Sequence, residues 1–182
     1  MWWCDVRALL VVLVLLLSAC GFQLRGTAAL PFDTVYISDA SSGVANTTAG
    51  IVNASSGVAL DLKRNIQGGT RTRVVNDEKA AQARLELSGE TRTRNILSLS
   101  GAGRVRELQL IYRVNLRVHD GKGGEFIPLT TLSVTRDLTY NDTDVLAKEA
   151  EEAAIYREMQ TDLVQQVLRR LSAATPAKPV VE

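Results

Sequence analysis

The chain has 182 residues, with 21 Lys and Arg against 20 Asp and Glu and a formal charge of +1. That balance leaves no electrostatic footprint for a nucleic-acid partner. The length suits one domain around one hydrophobic core.

Residues 8–17 read ALLVVLVLLL, about half the apolar length a membrane-spanning helix requires. The run closes on Leu17-Ser18-Ala19-Cys20. A short apolar core ended by small residues reads as a secretory signal, although Arg7 is the only base of its n-region and Asp5 opposes it. With its cysteine, the motif resembles the lipobox of bacterial lipoproteins. The resemblance implies that residues 1–19 are removed and that Cys20 becomes an acylated first residue. Removal leaves 163 residues (182 − 19) and takes away Trp2, Trp3 and Cys4, so Cys20 is the sole remaining cysteine. No internal disulfide and no cysteine metal site can form. Each buried methylene contributes about 0.8 kcal/mol, so two or three acyl chains would make the anchor effectively permanent.

Phe22 and Leu24 alternate with polar residues in Cys20-Gly21-Phe22-Gln23-Leu24-Arg25-Gly26, as a short extended segment would. Residues 31–37 (PFDTVYI) read as a first strand. Residues 38–56 are low in complexity, and Ala40-Ser41-Ser42-Gly43-Val44-Ala45 recurs as Ala54-Ser55-Ser56-Gly57-Val58-Ala59. The repeat reads as a local duplication in an insert-tolerant loop. Val58, Leu62 and Ile66 at i, i+4, i+8 predict a short helix, with Gly68-Gly69 as its stop. A second strand over 70–75 and a turn at 76–79 follow, and strand resumes near Ala83. Leu108, Leu110, Tyr112, Val114, Leu116 and Val118 then form an apolar file at period two, broken only by Ile111 on the polar side. Such a strand has one face in a core and one facing water or a partner. Ser100-Gly101-Ala102-Gly103 and residues 120–124 (DGKGG) mark reversals on either side, and 127–138 is a further strand. Residues 141–144 (NDTD) supply N-cap chemistry for a long helix. Its stripe is Leu146, Ala150, Ala153, Met159, Leu163, Val167 and Leu171.

The order β-α-β-β-β-β-α predicts an α+β fold: two helices packed on one face of a mostly antiparallel sheet of four to five strands. The other sheet face has no cover. The expected organisation is a single domain over 20–172, with 38–56 as an insert and 173–182 as a disordered tail.

No catalytic constellation is legible. His119, the one histidine, is followed by Asp120, but no serine sits in a nucleophile-elbow setting, and no phosphate loop or metal-ligand spacing occurs. No cofactor is expected. What stands out is charge: residues 84–117 hold seven arginines against three glutamates, a net of +4. Arg92 and Arg94, and Arg104 and Arg106, are each two apart, so each pair shares one side of a regular strand, and the four flank one turn. Arginine suits bidentate binding of phosphate and carboxylate, and it also serves simply as solubilising charge that discourages edge pairing. Lys148, isolated among acids, reads as an i, i+4 partner of Asp144 or Glu152.

Three stretches resemble the LptE family of lipopolysaccharide-assembly lipoproteins: Cys20-Gly21-Phe22-Gln23-Leu24-Arg25-Gly26, the hairpin SLSGAGRVRELQL at 98–110, and the helix with Leu146-Ala147-Lys148-Glu149 ending in Val167-Leu168-Arg169-Arg170-Leu171. Residues 38–56 fall outside the resemblance. It implies an outer-membrane lipoprotein facing the periplasm and seated as a plug in an LptD-like β-barrel, which it helps to assemble. It further implies lipopolysaccharide binding through basic residues at the hairpin tip and at Lys148. Gly101 stands where a tip base is expected, so Arg104 and Arg106 take that role, with Arg92 and Arg94 beside them. Gly21 is not the aspartate that marks inner-membrane retention. The competing reading is a stand-alone periplasmic lipid-binding lipoprotein, which needs an apolar pocket between helices and sheet. A hydrolase using His119 and Asp120 is a distant third.

Overall fold

The computed structural model describes residues 29–39, 57–140 and 145–175. The signal peptide, Cys20, the segment to residue 28, most of the 38–56 insert, the capping residues 141–144 and residues 176–182 lie outside the described residues. Five strands are formed: β1 (Thr34–Asp39), β2 (Arg73–Val75), β3 (Ala83–Leu99), β4 (Val105–His119) and β5 (Glu125–Thr139). The helices are α1 (Gly57–Gly69) and α2 (Val145–Ala173), and a 3₁₀ turn at Glu78–Ala80 precedes β3. The sheet order is β2-β1-β3-β4-β5, parallel at β1/β2 and β1/β3 and antiparallel from β3 to β5. This is the expected α+β architecture, with five strands.

The apolar file of β4 is the spine of the core. Leu110, Tyr112, Val114, Leu116 and Val118 have no exposed surface. They are joined by Leu85 and Leu87 of β3, Leu132 and Val134 of β5, and one stripe from each helix. From α1 come Val58, Ala59, Leu62 and Ile66, and from α2 come Met159, Leu163, Val164, Val167 and Leu171. Both helices thus cover one sheet face. The opposite face carries the polar residues of β4, and Ile111 lies there, 8% exposed between its cross-strand neighbours Thr93 and Thr135.

The helix α1 ends at Gly69, as the Gly68-Gly69 pair predicts, and Thr70 closes it by placing its N–H and hydroxyl on the Ile66 carbonyl. Two details depart from the sequence reading. The helix α2 includes Ser172 and Ala173, read above as part of or bordering the tail. Its apolar stripe is buried only from Met159 onward, while Leu146, Ala150 and Ala153 are exposed. The strand β3 changes faces along its length. Gly89, at φ +60°, sits in a one-residue bulge between Ser88 and Thr91. A bulge with a left-handed glycine advances the strand by one residue and exchanges its faces. Leu85 and Leu87 face the core before it. After it, the residues opposite Tyr112, Leu110 and Leu108 are Arg92, Arg94 and Ile96. Arg94 and Arg92 therefore meet Glu152 and Tyr156 of α2.

Candidate functional site

The structure separates the four hairpin arginines into two sets. Arg92 and Arg94 turn toward α2. An Arg92 N–H donates to the Tyr112 hydroxyl and to the Gln160 amide oxygen, each at 3.1 Å. Its guanidinium lies 4.6 Å from the Tyr112 ring centre and 5.4 Å from that of Tyr156, within cation–π range. The Tyr112 hydroxyl donates to Glu90, and the Gln160 amide donates to Asp61 of α1 at 2.5 Å. Burial first, and then the Glu90 carboxylate, push the Tyr112 hydroxyl well above the usual phenol range. Arg94 pairs with Glu152 of α2 at 3.3 Å, and the Tyr156 hydroxyl donates to the Thr93 carbonyl at 3.3 Å. This cluster fastens α2 to the hairpin.

Arg104 and Arg106 stay at the tip, exposed and without an ion pair among the described residues. The turn beneath them is closed by Ser100: its N–H donates to the Arg104 carbonyl at 2.6 Å, its carbonyl accepts from Gly103 at 2.8 Å, and its hydroxyl accepts from the Arg104 N–H at 3.1 Å. Gly103, at φ +75°, supplies the left-handed step of the turn. The N–H of Tyr140, just past β5, donates to the Arg106 carbonyl at 2.8 Å. Lys148 lies in the first turns of α2, one turn before Glu152, whose pairing with Arg94 sets this part of the helix beside the hairpin. Its ammonium pairs with Glu151 at 2.7 Å, at i, i+3. Of the two partners read from the sequence, Glu152 is taken by Arg94 and Asp144 lies outside the described residues.

The same end holds apolar side chains that no periodicity flagged. Ile96, Leu97 and Leu99 of β3 and Val145 and Leu146 of α2 are all exposed, Ile96 at 59% and Leu146 at 82%. The available signal was the NILSL run at 95–99, too short and too mixed to assign to a face. Exposed apolar side chains near exposed bases are the composition of an interaction surface.

The far end of the sheet is a closed polar network. Arg117 pairs with Glu125 at 2.7 Å and lies 3.8 Å from Glu86, and the Glu125 carboxylate holds its guanidinium above the usual range. The His119 Nε2 lies 3.1 Å from the Glu86 carboxylate, and its Nδ1 accepts the Gly121 N–H at 3.0 Å. With both ring nitrogens engaged, His119 secures the turn rather than serving as a base. The Asp120 carboxylate accepts the N–H groups of Lys122 and Gly124 at 2.7 and 2.9 Å, and the Lys122 bond above all draws its pKa below the usual range. No group of potential metal ligands occurs among the described residues, and no described helix is long and apolar enough to cross a membrane.

Both the sequence and the fold have counterparts among known proteins. The family model described as "LptE: Lipopolysaccharide-assembly" matches residues 32–171. The LPS-assembly lipoprotein LptE of Photorhabdus laumondii is 28% identical over 163 residues, covering 90% of this chain and 82% of its own. That of Pectobacterium atrosepticum is 26% identical, covering 87% and 79%. Among solved structures, lipoprotein B of Nitrosomonas europaea superposes with a TM-score of 0.66 at 40% identity, covering 84% of this chain and 91% of that one. The rare lipoprotein B of Shewanella oneidensis shares the fold, with a TM-score of 0.61 at 20% identity over 77% of this chain and 94% of its own. With a matching family model across the whole of its sheet and nearly all of α2, the chain belongs to the LptE family of lipopolysaccharide-assembly lipoproteins.

Proposed function

We propose that this lipoprotein, a member of a non-enzymatic family, is held by acyl chains on Cys20 in the outer membrane, facing the periplasm. There it plugs the lumen of an LptD-like β-barrel and receives lipopolysaccharide at its hairpin tip. The observation that carries the reading is the tip itself, where Arg104, Arg106 and Lys148 share one end of the molecule with exposed Ile96, Leu97, Leu99, Val145 and Leu146. Lipid A presents phosphates above acyl chains. Arginine grips phosphate through paired donors, and apolar side chains offer the chains a surface. The sheet face that no described element covers supports the barrel half of the reading. It is lined by Thr91, Thr93, Asn95, Gln109, Arg113, Asn115, Thr131 and Ser133, and large outer-membrane barrels have polar interiors.

The stand-alone lipid carrier finds less support. Two hollows among the described residues, of about 410 and 400 Å³, lie between the outer flank of β5 and α2, and the first is lined mostly by polar side chains. The test is purification of the acylated protein from outer membranes in mild detergent. A β-barrel recovered in one-to-one ratio is the expected result, and recovery as a free monomer overturns the plug.

A further inference from the structure

The strand β5 is the last in the sheet order, so its outer edge has no strand beside it among the described residues. From Thr130 to Thr139 its register with β4 is unbroken, a straight run of about 33 Å. Every second residue of such a run turns its N–H and C=O outward. Edges like this are usually blunted. Here the blunting stops early, at Pro128, where a register shift precedes the straight stretch. Two β5 carbonyls take donors from the strand's own side chains instead: the Thr130 hydroxyl meets Pro128 at 2.7 Å and Arg136 meets Thr135 at 3.1 Å.

Beside this edge α2 forms a second wall. One hollow, of about 410 Å³, lies between Ser133–Arg136 of the strand and Asp162, Gln166 and Arg169 of the helix. The other, of about 400 Å³, continues toward the start of β5, between Phe126, Ile127 and Pro128 and the end of α2 at Arg170 and Ala173. Together they make one groove, polar at one end and apolar at the other. Its charged lining is Arg136, Arg169 and Arg170 against Asp162, which is already paired with Arg136.

We propose that this groove takes an extended peptide segment of a partner protein, added as a sixth strand to β5. The outward backbone groups of β5 supply the affinity in the manner of strand addition. Arg169 and Arg170 select carboxylate side chains on the residues of the incoming strand that face α2, and Phe126 and Pro128 receive an apolar residue near one end. This surface lies along the flank of the sheet, away from the hairpin tip, and does not depend on lipid binding there.

The test uses a phage-displayed library of random dodecapeptides, panned on the mature acylated chain in detergent micelles. Strand-forming peptides carrying alternate Asp or Glu are expected to be enriched. Their synthetic forms should lose at least tenfold in affinity toward the Arg169→Glu/Arg170→Glu variant, whose fold is checked by circular dichroism. Methylating alternate backbone nitrogens of the peptide should abolish binding, and hydrogen exchange should slow at alternate β5 amides when it is bound. The Arg104→Glu/Arg106→Glu variant should bind the peptides normally, which separates failure here from failure of the lipid reading. No enrichment, binding indifferent to the reversal or to methylation, or sedimentation as an edge-paired dimer of the chain overturns the proposal.

Discussion

The Arg92 guanidinium caps the ring of Tyr112 at 4.6 Å and donates to its hydroxyl, while that hydroxyl donates onward to Glu90. One arginine thus donates to a buried phenol, covers its ring and, through Gln160, reaches α2. Truncating it removes both the cation over the Tyr112 ring and the donor to its hydroxyl. Arg92→Ala should lower stability by about 2 kcal/mol, within the range for a cation–π contact plus a charged hydrogen bond. Urea unfolding followed by circular dichroism reads this as a lower midpoint, and an unchanged midpoint would show the cluster to be incidental.

The division of the hairpin arginines has a functional counterpart. Arg104→Glu with Arg106→Glu should weaken lipopolysaccharide binding at least about tenfold, or some 1.4 kcal/mol, with an unchanged urea midpoint. Arg94→Ala should do the opposite, loosening the first half of α2 through loss of Glu152 while leaving binding by the folded fraction intact. Titration of both variants with purified lipopolysaccharide distinguishes them. Equal losses of affinity would return Arg94 to the ligand site.

Gly89 holds the bulge at φ +60°, and a Cβ added there would lie 2.7 Å from the Asn115 amide nitrogen. Gly89→Val meets both the left-handed backbone and that contact, and should cost about 1–3 kcal/mol. The further effect is on faces: relieving the strain by deleting the bulge would turn Arg92 and Arg94 to the open side of the sheet. Cysteines placed at Arg94 and Glu152 should cross-link in the parent protein and much less in the Gly89→Val background.

Two ionisable groups set expectations at the ends of the pH scale. The Asp120 carboxylate is held below its usual range by the Lys122 and Gly124 amides, so the folded state favours its ionised form. That stabilisation is complete above the ordinary carboxylate pKa of about 3.9 and fades as pH falls through the lower folded value. The melting temperature of Asp120→Ala should therefore fall below the parent's at pH 7 and converge with it in strong acid. Tyr112 is shifted the other way: burial raises its pKa, so the folded state favours the neutral phenol. Its contribution is intact below pH about 10 and is lost as the solution becomes more alkaline. Absorbance at the phenolate band should show one tyrosine that ionises only with alkaline unfolding, and Tyr112→Phe should remove that step.

Much of this could be read from residue order because the signals were local. The β4 file repeats at period two, the turns carry glycine, and the second half of the long helix keeps a stripe that the core buries from Met159 to Leu171. What escaped depended on a register. An isolated glycine inside a strand pattern is the usual mark of a bulge, and Gly89 was that mark, but nothing in the order of residues says which face Arg92 and Arg94 take after it. The salt-bridge partner of Lys148 escaped for a related reason, since Arg94, 54 residues earlier in the chain, occupies Glu152 and leaves Glu151. The tip cluster combines β3 with α2 and exists only once the meander has folded.

The parallel pairing of β1 sets an order of assembly. The β3-β4-β5 meander and α2 are contiguous, joined by short turns, and close with little loop entropy. By contrast, β1 must wait for β3, whose paired residues lie 48 positions further along (Val35 with Ala83). Long-range parallel pairing forms late. During export β1 therefore emerges well ahead of its partner strand, and the three-stranded meander can stand before the β2–β1 edge docks. That edge, with only three residue pairs between β1 and β2, should be the first part of the sheet to exchange its amides and the last to gain protection on refolding.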